Sequence, residues 1–216
     1  MYGEPQCRGR RPLKVDESFG ARHLYLVRHA EARPDEGGLT ERGRRQAVLL
    51  GERLREVPFT AVHHSPLTRA AETAHLINHQ APLRPSEAAG DYIPHVPHRD
   101  DLPPDSADYY LDFLHQATPE ELTAGPRLAH EALAQFTGPA TGGHELLITH
   151  NFLIAWLVRD ALGAPPWRWL TLTHCNAALT TIRYTPNRPA TLLTYNDMSH
   201  LPQDLHWTGF PPNSHI

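Results

Sequence analysis

Cysteines and long apolar runs are both scarce in this sequence, and each shortage excludes a class of protein. Cys7 and Cys175 are the only cysteines among 216 residues, too few for a disulfide framework and without metal-ligand spacing. No apolar stretch approaches the roughly 20 residues needed to cross a bilayer, and residues 1–14 lack the apolar centre of a signal peptide. We therefore expect a cytoplasmic protein, in a reducing compartment, with no membrane partner.

An excess of positive charge is also lacking. The formal net charge is −4 with the histidines neutral, so no overall positive field draws the protein to nucleic acid or to an anionic membrane. Any attraction for an anion must then be local. The chain length and a hydrophobic fraction of 40% suit one enzyme-sized domain with a single core.

Three short apolar segments are followed by basic or imidazole side chains. The segments span residues 24–27, 60–62 and 146–148, and the side chains that follow them are Arg28 and His29, Arg69, and His150. In open α/β sheets, ligands bind at the carboxyl edge of the strands. We therefore expect these four side chains to meet at one edge of a sheet.

The chemistry of these residue types points to phosphoryl transfer. Imidazole is a nucleophile with an ordinary pKa of about 6.5, and the guanidinium of Arg28 beside it can hold a phosphate through two parallel N–H bonds. Arg69 would project from the first turn of a helix, where backbone amides and the helix dipole already favour an anion. A bound anion explains this arginine better than helix stability does, because a cation at that end is unfavourable.

Together the three segments resemble the histidine phosphatase superfamily, also called the phosphoglycerate mutase-like family, over about residues 22–200. The matching motifs are Leu-Val-Arg-His-Ala-Glu at 26–31, Ser-Pro-Leu-Thr-Arg-Ala-Ala-Glu-Thr-Ala at 65–74 and Thr-His-Asn at 149–151. Residues 38–47 and 196–201 resemble further segments of the family. After the first motif the chain departs from the mutases, since Ala32-Arg33-Pro34 stands where they often have asparagine or threonine.

The resemblance implies roles for the four side chains and a class of substrate. His29 corresponds to the nucleophile that forms a phosphohistidine, while Arg28, Arg69 and His150 correspond to the clamp on the phosphate oxygens. These roles imply a phosphoric monoester hydrolase without a cofactor. Its partner would be a small phosphorylated substrate or a phosphoprotein, with no role for nucleic acid.

A general acid is still required, because an alkoxide leaves poorly without a proton. Residues 80–105 contain six prolines, which predicts a long loop that covers the site as a lid. The candidate acids in this segment are Glu87, Asp91, Asp100 and Asp101. In the phosphatase branch of the family the acid precedes a Gly-x-Pro or similar turn, and Asp91-Tyr92-Ile93-Pro94 resembles that pattern best. Asp91 is therefore the first candidate and Glu87 the second.

Histidines are numerous, 16 in all, so a metal centre is an alternative use for them. His75 and His79 stand four apart on one predicted helix, but no His-Glu-x-x-His motif occurs and no carboxylate or cysteine completes a ligand set. We therefore expect no metal. His200 could approach the phosphate site from the C-terminal side or make a structural hydrogen bond, and both interpretations stay open.

The order of elements predicts an α/β fold with three layers: a mostly parallel central sheet, helices on both faces and the long lid loop. Strands are expected at about 23–28, 61–64, 145–149, 178–184 and 191–195, and helices ending near 56 and 78 and spanning about 106–115, 119–136 and 151–162. Thr40 is the candidate N-cap of the first helix, and Thr118-Pro119-Glu120-Glu121 predicts a capping box at the start of the fourth. Gly125-Pro126 is expected to break the fourth helix. Residues 1–21 predict a flexible basic arm, residues 22–200 a catalytic domain and residues 201–216 a tail.

Three functions fit this pattern. A phosphatase is favoured because the loop supplies an acid and the chain has no long insertion of the kind expected to enclose a mutase site. A phosphoglycerate-type mutase is the first alternative, and a non-catalytic module that binds a phosphorylated ligand on the same fold is the second. The sequence leaves the physiological substrate and the oligomeric state open.

Overall fold

The computed structural model describes residues 20–35, 37–77, 80–139 and 142–210, together with Asn213 and His215. Its strands are β1 (Arg22–Arg28), β2 (Phe59–His64), β3 (Leu83–Pro85), β4 (Gly143–Thr149), β5 (Leu179–Tyr184) and β6 (Thr191–Asp197). Its helices are α1 (Glu41–Leu54), α2 (Thr68–Ile77), α3 (Ala107–Leu114), α4 (Pro119–Phe136) and α5 (Asn151–Ala161). Short 3₁₀ segments lie at Glu87–Ala89, Arg99–Asp101, Pro104–Ser106, Pro166–Thr171 and Gln203–Leu205. Most of the arm predicted at residues 1–21 falls outside the described residues.

Within the described residues, the six strands form one sheet in the order β3-β2-β4-β1-β5-β6. The first four of that order run parallel, whereas β5 and β6 pair antiparallel. The sheet is therefore mixed, with its parallel half carrying the predicted motifs. No helix in these ranges combines the length and the apolarity that a membrane span requires.

Side-chain alternation along β1 separates two layers of core. Leu24 and Leu26 are fully buried and pack in a cluster with α4 and α5, while Val27 packs in a second cluster with α1 and α2. Alternation of this kind is what a strand covered on both faces requires. The three-layer α/β architecture predicted from the sequence is thus confirmed.

Two predicted helix starts are also confirmed. The Thr40 hydroxyl accepts a hydrogen bond from the Gly43 amide at 2.9 Å and caps α1. Thr118 and Glu121 form a capping box at the start of α4, with Pro119 at the first helical position. Each cap satisfies backbone amides that have no partner inside the helix.

The predicted break at Gly125-Pro126 is wrong, because α4 continues through both residues to Phe136. Pro126 removes one backbone hydrogen bond, and a proline ring inside a helix also crowds the carbonyl one turn back. Gly125 is buried where the helix meets Ile93, and a Cβ built there would lie 2.1 Å from the Ile93 carbonyl oxygen. The glycine is therefore present for close packing against the segment that follows Asp91, and the tertiary contact keeps the helix intact.

Two irregular segments are more ordered than their composition predicts. Residues 80–105 contain β3 and two of the 3₁₀ turns, so they are not one structureless loop; closure of a lid stays a prediction. Residues 201–210, set apart as a tail, pack against α1: Gln46 donates to the Leu205 carbonyl at 2.9 Å and to the Thr208 hydroxyl at 2.8 Å. Arg42 donates to the Asp204 carbonyl at 2.8 Å.

We expect Gly125→Ala to lower the free energy of unfolding by about 1–3 kcal/mol, since the added methyl collides with backbone. Intrinsic helix propensity alone would raise it by about 1 kcal/mol. Urea denaturation measures the difference, and Ala124→Gly, at an exposed position of the same turn, calibrates the propensity term. A Gly125→Ala protein as stable as the parent would contradict the packing argument.

Candidate active site

The carboxyl ends of the parallel strands bring the predicted histidines together. Arg28 pairs with Thr149 at the ends of β1 and β4, so His29 and His150 leave the sheet side by side. Their ring centroids are 5.1 Å apart. The His29 amide donates to the Thr149 carbonyl at 2.8 Å, which extends the strand register up to the site.

His29 is held in the form that a nucleophile needs. Its Nδ1 lies 2.8 Å from the Ala30 carbonyl oxygen, so the neutral ring carries its proton on Nδ1 and leaves a lone pair on Nε2. The side chain is buried. Burial lowers the pKa of His29 to about 3, with the neighbouring His150 as the next cause. The ring is therefore neutral at physiological pH.

His150 is the residue before α5 and is 1% exposed. Burial, followed by the charges of Arg69 and Arg28, lowers the pKa of His150 to about 3. Among the described residues, neither ring nitrogen has a hydrogen-bond partner. A buried imidazole in this state can donate one hydrogen bond to a ligand in the cavity.

Arg28 is fixed by backbone carbonyls. Its Nη1 donates to the His174 oxygen at 2.6 Å and to the Gly209 oxygen at 3.1 Å. Burial lowers the pKa of Arg28, and the Asp91 carboxylate partly opposes that effect. Gly209 has φ +82°, and a Cβ there would lie 2.6 Å from Nη1, so this position needs glycine. The guanidinium is thus oriented before any substrate arrives.

Arg69 and Asp91 form an ion pair across two motifs. Arg69 is the second residue of α2, and its Nη2 lies 2.8 Å from Asp91 Oδ2. The same carboxylate oxygen is 3.5 Å from His150 Nδ1. Asp91 is 36% exposed and Arg69 17%, so the pair faces open space. Asp91 therefore stands between the second and third motifs.

A cavity of about 610 Å³ opens at this point. Arg28, His29, Asp91 and His150 all line it. Arg69 lines an adjoining cavity of about 400 Å³ that shares Asp91. The structure therefore brings the four side chains and the first candidate acid together, with Arg69 lining the adjoining cavity and not the main one.

The other candidate residues lie elsewhere. Glu87 is exposed in its 3₁₀ turn and does not line the cavity, and neither do Asp100 and Asp101. His200 contacts Arg53 at 3.3 Å, beside the ion pair of Arg53 with Asp197, and burial lowers the pKa of His200 to about 4. This surrounding supports the structural interpretation of His200 over the catalytic one.

His75 and His79 were the histidines weighed as metal ligands in the sequence. Across the described ranges, no group of three or more histidine, cysteine or acidic side chains is placed to hold a metal ion. His79 lies outside those ranges, so its pairing with His75 is not described.

Several residues that support the site were not singled out from the sequence. The Asn176 amide donates to the His29 carbonyl at 2.8 Å, and the Asn151 side chain accepts from the His174 amide at 2.8 Å. The Thr149 hydroxyl donates to the Ala89 carbonyl at 2.6 Å, which ties β4 to the turn just before Asp91. The position of residues 174–176 just before a predicted strand was the available signal, but only the antiparallel pairing of β5 with β1 brings them to this edge.

An α/β sheet that presents two neutral imidazoles and two guanidiniums near one cavity suits enzymes that transfer phosphoryl groups through histidine. Residues 24–90 and 106–197 match the family model of the histidine phosphatase superfamily (branch 1). The chain belongs to this superfamily, as its sequence motifs predict.

Curated relatives are named phosphatases, and a solved structure shares the fold. The mitochondrial serine/threonine-protein phosphatase PGAM5 of Mus musculus is 31% identical over 196 residues, which cover 85% of this chain and 65% of that protein. The corresponding protein of Caenorhabditis briggsae is 29% identical over 197 residues, covering 88% and 68%. A putative alpha-ribazole-5'-P phosphatase from Escherichia coli superposes with a TM-score of 0.65 at 23% identity, covering 82% and 97%. The predicted phosphoric monoester hydrolase, acting on a phosphorylated substrate, is confirmed at this level.

The predicted cytoplasmic location is wrong on the same comparison. The PGAM5 relatives from nematodes and mammals are named mitochondrial. The prediction used scarce cysteine and the lack of an apolar signal-peptide core. Neither feature distinguishes one reducing aqueous compartment from another, so these two features could not predict the cellular location.

The buried histidines predict loss of stability in acid. His29, His150 and His174 each have a pKa near 3, lowered first by burial, whereas an unfolded histidine titrates near 6.5. The unfolded chain therefore binds more protons between these values, and the free energy of unfolding falls as pH falls from about 6.5 to about 3. Each histidine contributes up to about 1.4 kcal/mol per pH unit.

Urea denaturation at several pH values measures this slope. We expect His174→Gln to reduce it by about one proton relative to the parent, because carboxylates contribute equally to both proteins. His130→Gln, at an exposed position of α4, controls for loss of a histidine in general. An identical slope in the parent and His174→Gln would show that His174 is not the buried neutral group described.

Proposed function

We propose that this protein hydrolyses phosphomonoesters in two steps through a phosphohistidine on His29, with Asp91 as the general acid. The observation that supports the proposal most is the meeting of Arg28, His29, Asp91 and His150 around one cavity. The names of the relatives, serine/threonine-protein phosphatases, favour a phosphoprotein among the substrates. No metal ion takes part in the proposed reaction.

In the first step, the Nε2 lone pair of His29 attacks phosphorus and forms the P–N bond. The bond from phosphorus to the ester oxygen breaks, and its electron pair leaves on that oxygen, which takes a proton from Asp91. In the second step, water attacks phosphorus and the P–N bond breaks. Asp91 accepts the proton that the water loses, so the enzyme returns to its starting state.

The clamp supports both steps. Negative charge on the non-bridging oxygens meets Arg28 and Arg69, whose guanidiniums are already held by hydrogen bonds. It also meets His150, whose buried ring nitrogens have no hydrogen-bond partner among the described residues. Donors placed in advance stabilise the transition state without reorganising during the reaction. Neutral His150 adds a hydrogen bond, while the two arginines supply the charge.

The ion pair between Asp91 and Arg69 explains how a carboxylate becomes an acid. Without substrate, Arg69 holds Asp91 at 2.8 Å. A phosphate dianion brings negative charge to the same guanidinium, and a second negative charge on Asp91 then becomes unfavourable. Binding of the substrate thus favours the protonated carboxyl beside the leaving oxygen.

We expect His29→Ala to lower kcat/KM for p-nitrophenyl phosphate by on the order of 10³-fold or more, as loss of a nucleophile does. Assays contain a chelator, so that a metal requirement would be visible as lost activity of the parent. His64→Gln is the matched control, because His64 also ends a strand with Nδ1 at 2.8 Å from the next carbonyl, Ser65, yet does not line the cavity.

Rapid quenching of the parent with labelled substrate should trap acid-labile phosphate on His29. Parent activity no greater than that of His29→Ala would favour the non-catalytic module. Isomerisation of phosphoglycerate in place of hydrolysis would favour the mutase.

We expect Asp91→Asn to slow hydrolysis of alkyl phosphates by about 10²–10⁴-fold, the usual contribution of a general acid. The loss should be much smaller for p-nitrophenyl phosphate, because p-nitrophenolate leaves without a proton. The ratio of kcat/KM for the two substrates is the measurement. Glu87→Gln is the control at the second candidate acid, and a larger change of the ratio in that variant would reverse the assignment.

A further inference from the structure

Aromatic side chains form one wall of the catalytic cavity. Tyr109 and Phe113 project from α3, Phe152 from the first turn of α5, and Phe210 from the C-terminal segment, and all four line the cavity together with the phosphate clamp. The proposed mechanism uses none of them. Because they line the same cavity as the clamp, they are the apolar side chains that the alcohol part of a bound phosphomonoester can contact.

Phe113 and Phe152 form the firm part of this wall. Their rings meet edge to face with centroids 5.8 Å apart. Phe152 rests in turn on the buried Trp169 at 5.1 Å, whose indole donates to the His95 carbonyl. Phe113 and Phe152 also line both adjoining cavities, of about 400 Å³ and 170 Å³. The pair therefore stands where three cavities join.

The outer part of the wall exposes apolar surface. Tyr109 and Phe113 are one helical turn apart, on one face of α3, and are 74% and 40% exposed. Exposed aromatic surface at the mouth of a polar site is covered favourably by an apolar group of a ligand. Phe152 and its buried support limit how far the wall can collapse instead.

Charge around the cavity argues against a second anion on the substrate. Among the described residues that line the main cavity, Arg28 is the only arginine or lysine. Asp105 and Asp112 are exposed on and beside α3, while Asp108 there is paired with Arg99. A substrate with a carboxylate or second phosphate next to the reacting phosphate would find no further arginine or lysine in the lining of this cavity.

We propose that the aromatic wall selects phosphomonoesters whose alcohol carries an aromatic or bulky apolar group, and that it rejects small polyanionic phosphates such as phosphoglycerate. This inference rests on the proposed phosphatase function of the same site. The apolar group packs against Phe113 and Phe152 while the phosphate occupies the clamp.

The test compares three alkyl phosphates with the parent protein: 3-phenylpropyl phosphate, propyl phosphate and 3-phosphoglycerate. The first two share an unactivated primary alcohol as leaving group, so the phenyl ring is the main difference. We expect kcat/KM for the phenylpropyl ester to exceed that for the propyl ester by about 10-fold or more, within the range an apolar pocket provides. We expect 3-phosphoglycerate to be the poorest substrate.

Variants locate the preference. Phe113→Ala should bring the two alkyl esters to within about threefold of each other, mainly through a higher KM for the phenylpropyl ester, whereas Phe113→Leu should retain most of the preference. Leu193→Ala, an exposed apolar residue of β6 outside the cavity, is the matched control and should behave as the parent. Tyr109→Ala is a second variant of the wall and should also reduce the preference, so that misfolding of Phe113→Ala does not decide the outcome.

Two phosphoserine peptides distinguish the source of the apolar group. One carries phenylalanine next to the phosphoserine and the other alanine; preference for the first points to a protein segment, and preference for 3-phenylpropyl phosphate alone to a small molecule. Either result supports the proposal. Equal kcat/KM for phenylpropyl and propyl phosphate, together with equal use of the two peptides, overturns it, as does preference for 3-phosphoglycerate.

Binding separates this inference from the proposed function. Calorimetry with 3-phenylpropylphosphonate and propylphosphonate needs no turnover, and we expect Kd to be about 10-fold or more lower for the first. If no ester is hydrolysed above the His29→Ala background, the proposed function fails. The ratio of Kd values for the two phosphonates still shows whether the aromatic wall binds the apolar group. If both esters are hydrolysed equally and both phosphonates bind equally, the function stands and the wall has no such role.

Discussion

The parallel pairing of β1 with β4 sets the positions of Arg28, His29 and His150 at the edge of the sheet. In this register Arg28 lies beside Thr149, and the histidines that follow emerge with their rings 5.1 Å apart. A slip of one residue would turn each side chain of β1 to the opposite face. Because Leu26 and Val27 are buried on opposite faces of the sheet, the core itself holds the catalytic register.

That edge concentrates positive charge in a buried place. Two guanidiniums lie close to imidazoles that burial keeps neutral, and Asp91 is the acid that meets them. Backbone carbonyls of His174 and Gly209 hold Arg28 in place, so orientation does not depend on a ligand. A phosphate would supply the negative charge that this arrangement lacks, and in the proposed function the clamp holds the phosphate without distinguishing the alcohol attached to it.

Discrimination among substrates must then come from elements outside the sheet. α3 and the start of α5 provide the aromatic wall, while the close approach of Gly125 to Ile93 seats α4 against the segment that carries Asp91. The hydrogen bond from Thr149 to Ala89 joins that segment to β4. The clamp and the selective parts are thus connected through contacts that span distant parts of the chain.

Local patterns were enough to predict the strand that ends in Arg28, the positions of His29 and His150 after strands, the caps at Thr40 and Thr118, and the α/β class. Strand alternation, helix capping and the ends of strands all depend on neighbours along the chain. The choice of Asp91 over Glu87 as the candidate general acid depended on the family resemblance, because a loop has no periodicity that fixes where its acids point. Tertiary structure decided four other features. These are the unbroken α4, the packing of residues 201–210 on α1, the contact of Asn176 with His29 and the place of Phe113 in the cavity lining. Each depends on a contact between segments far apart in sequence, where packing overrides local preference.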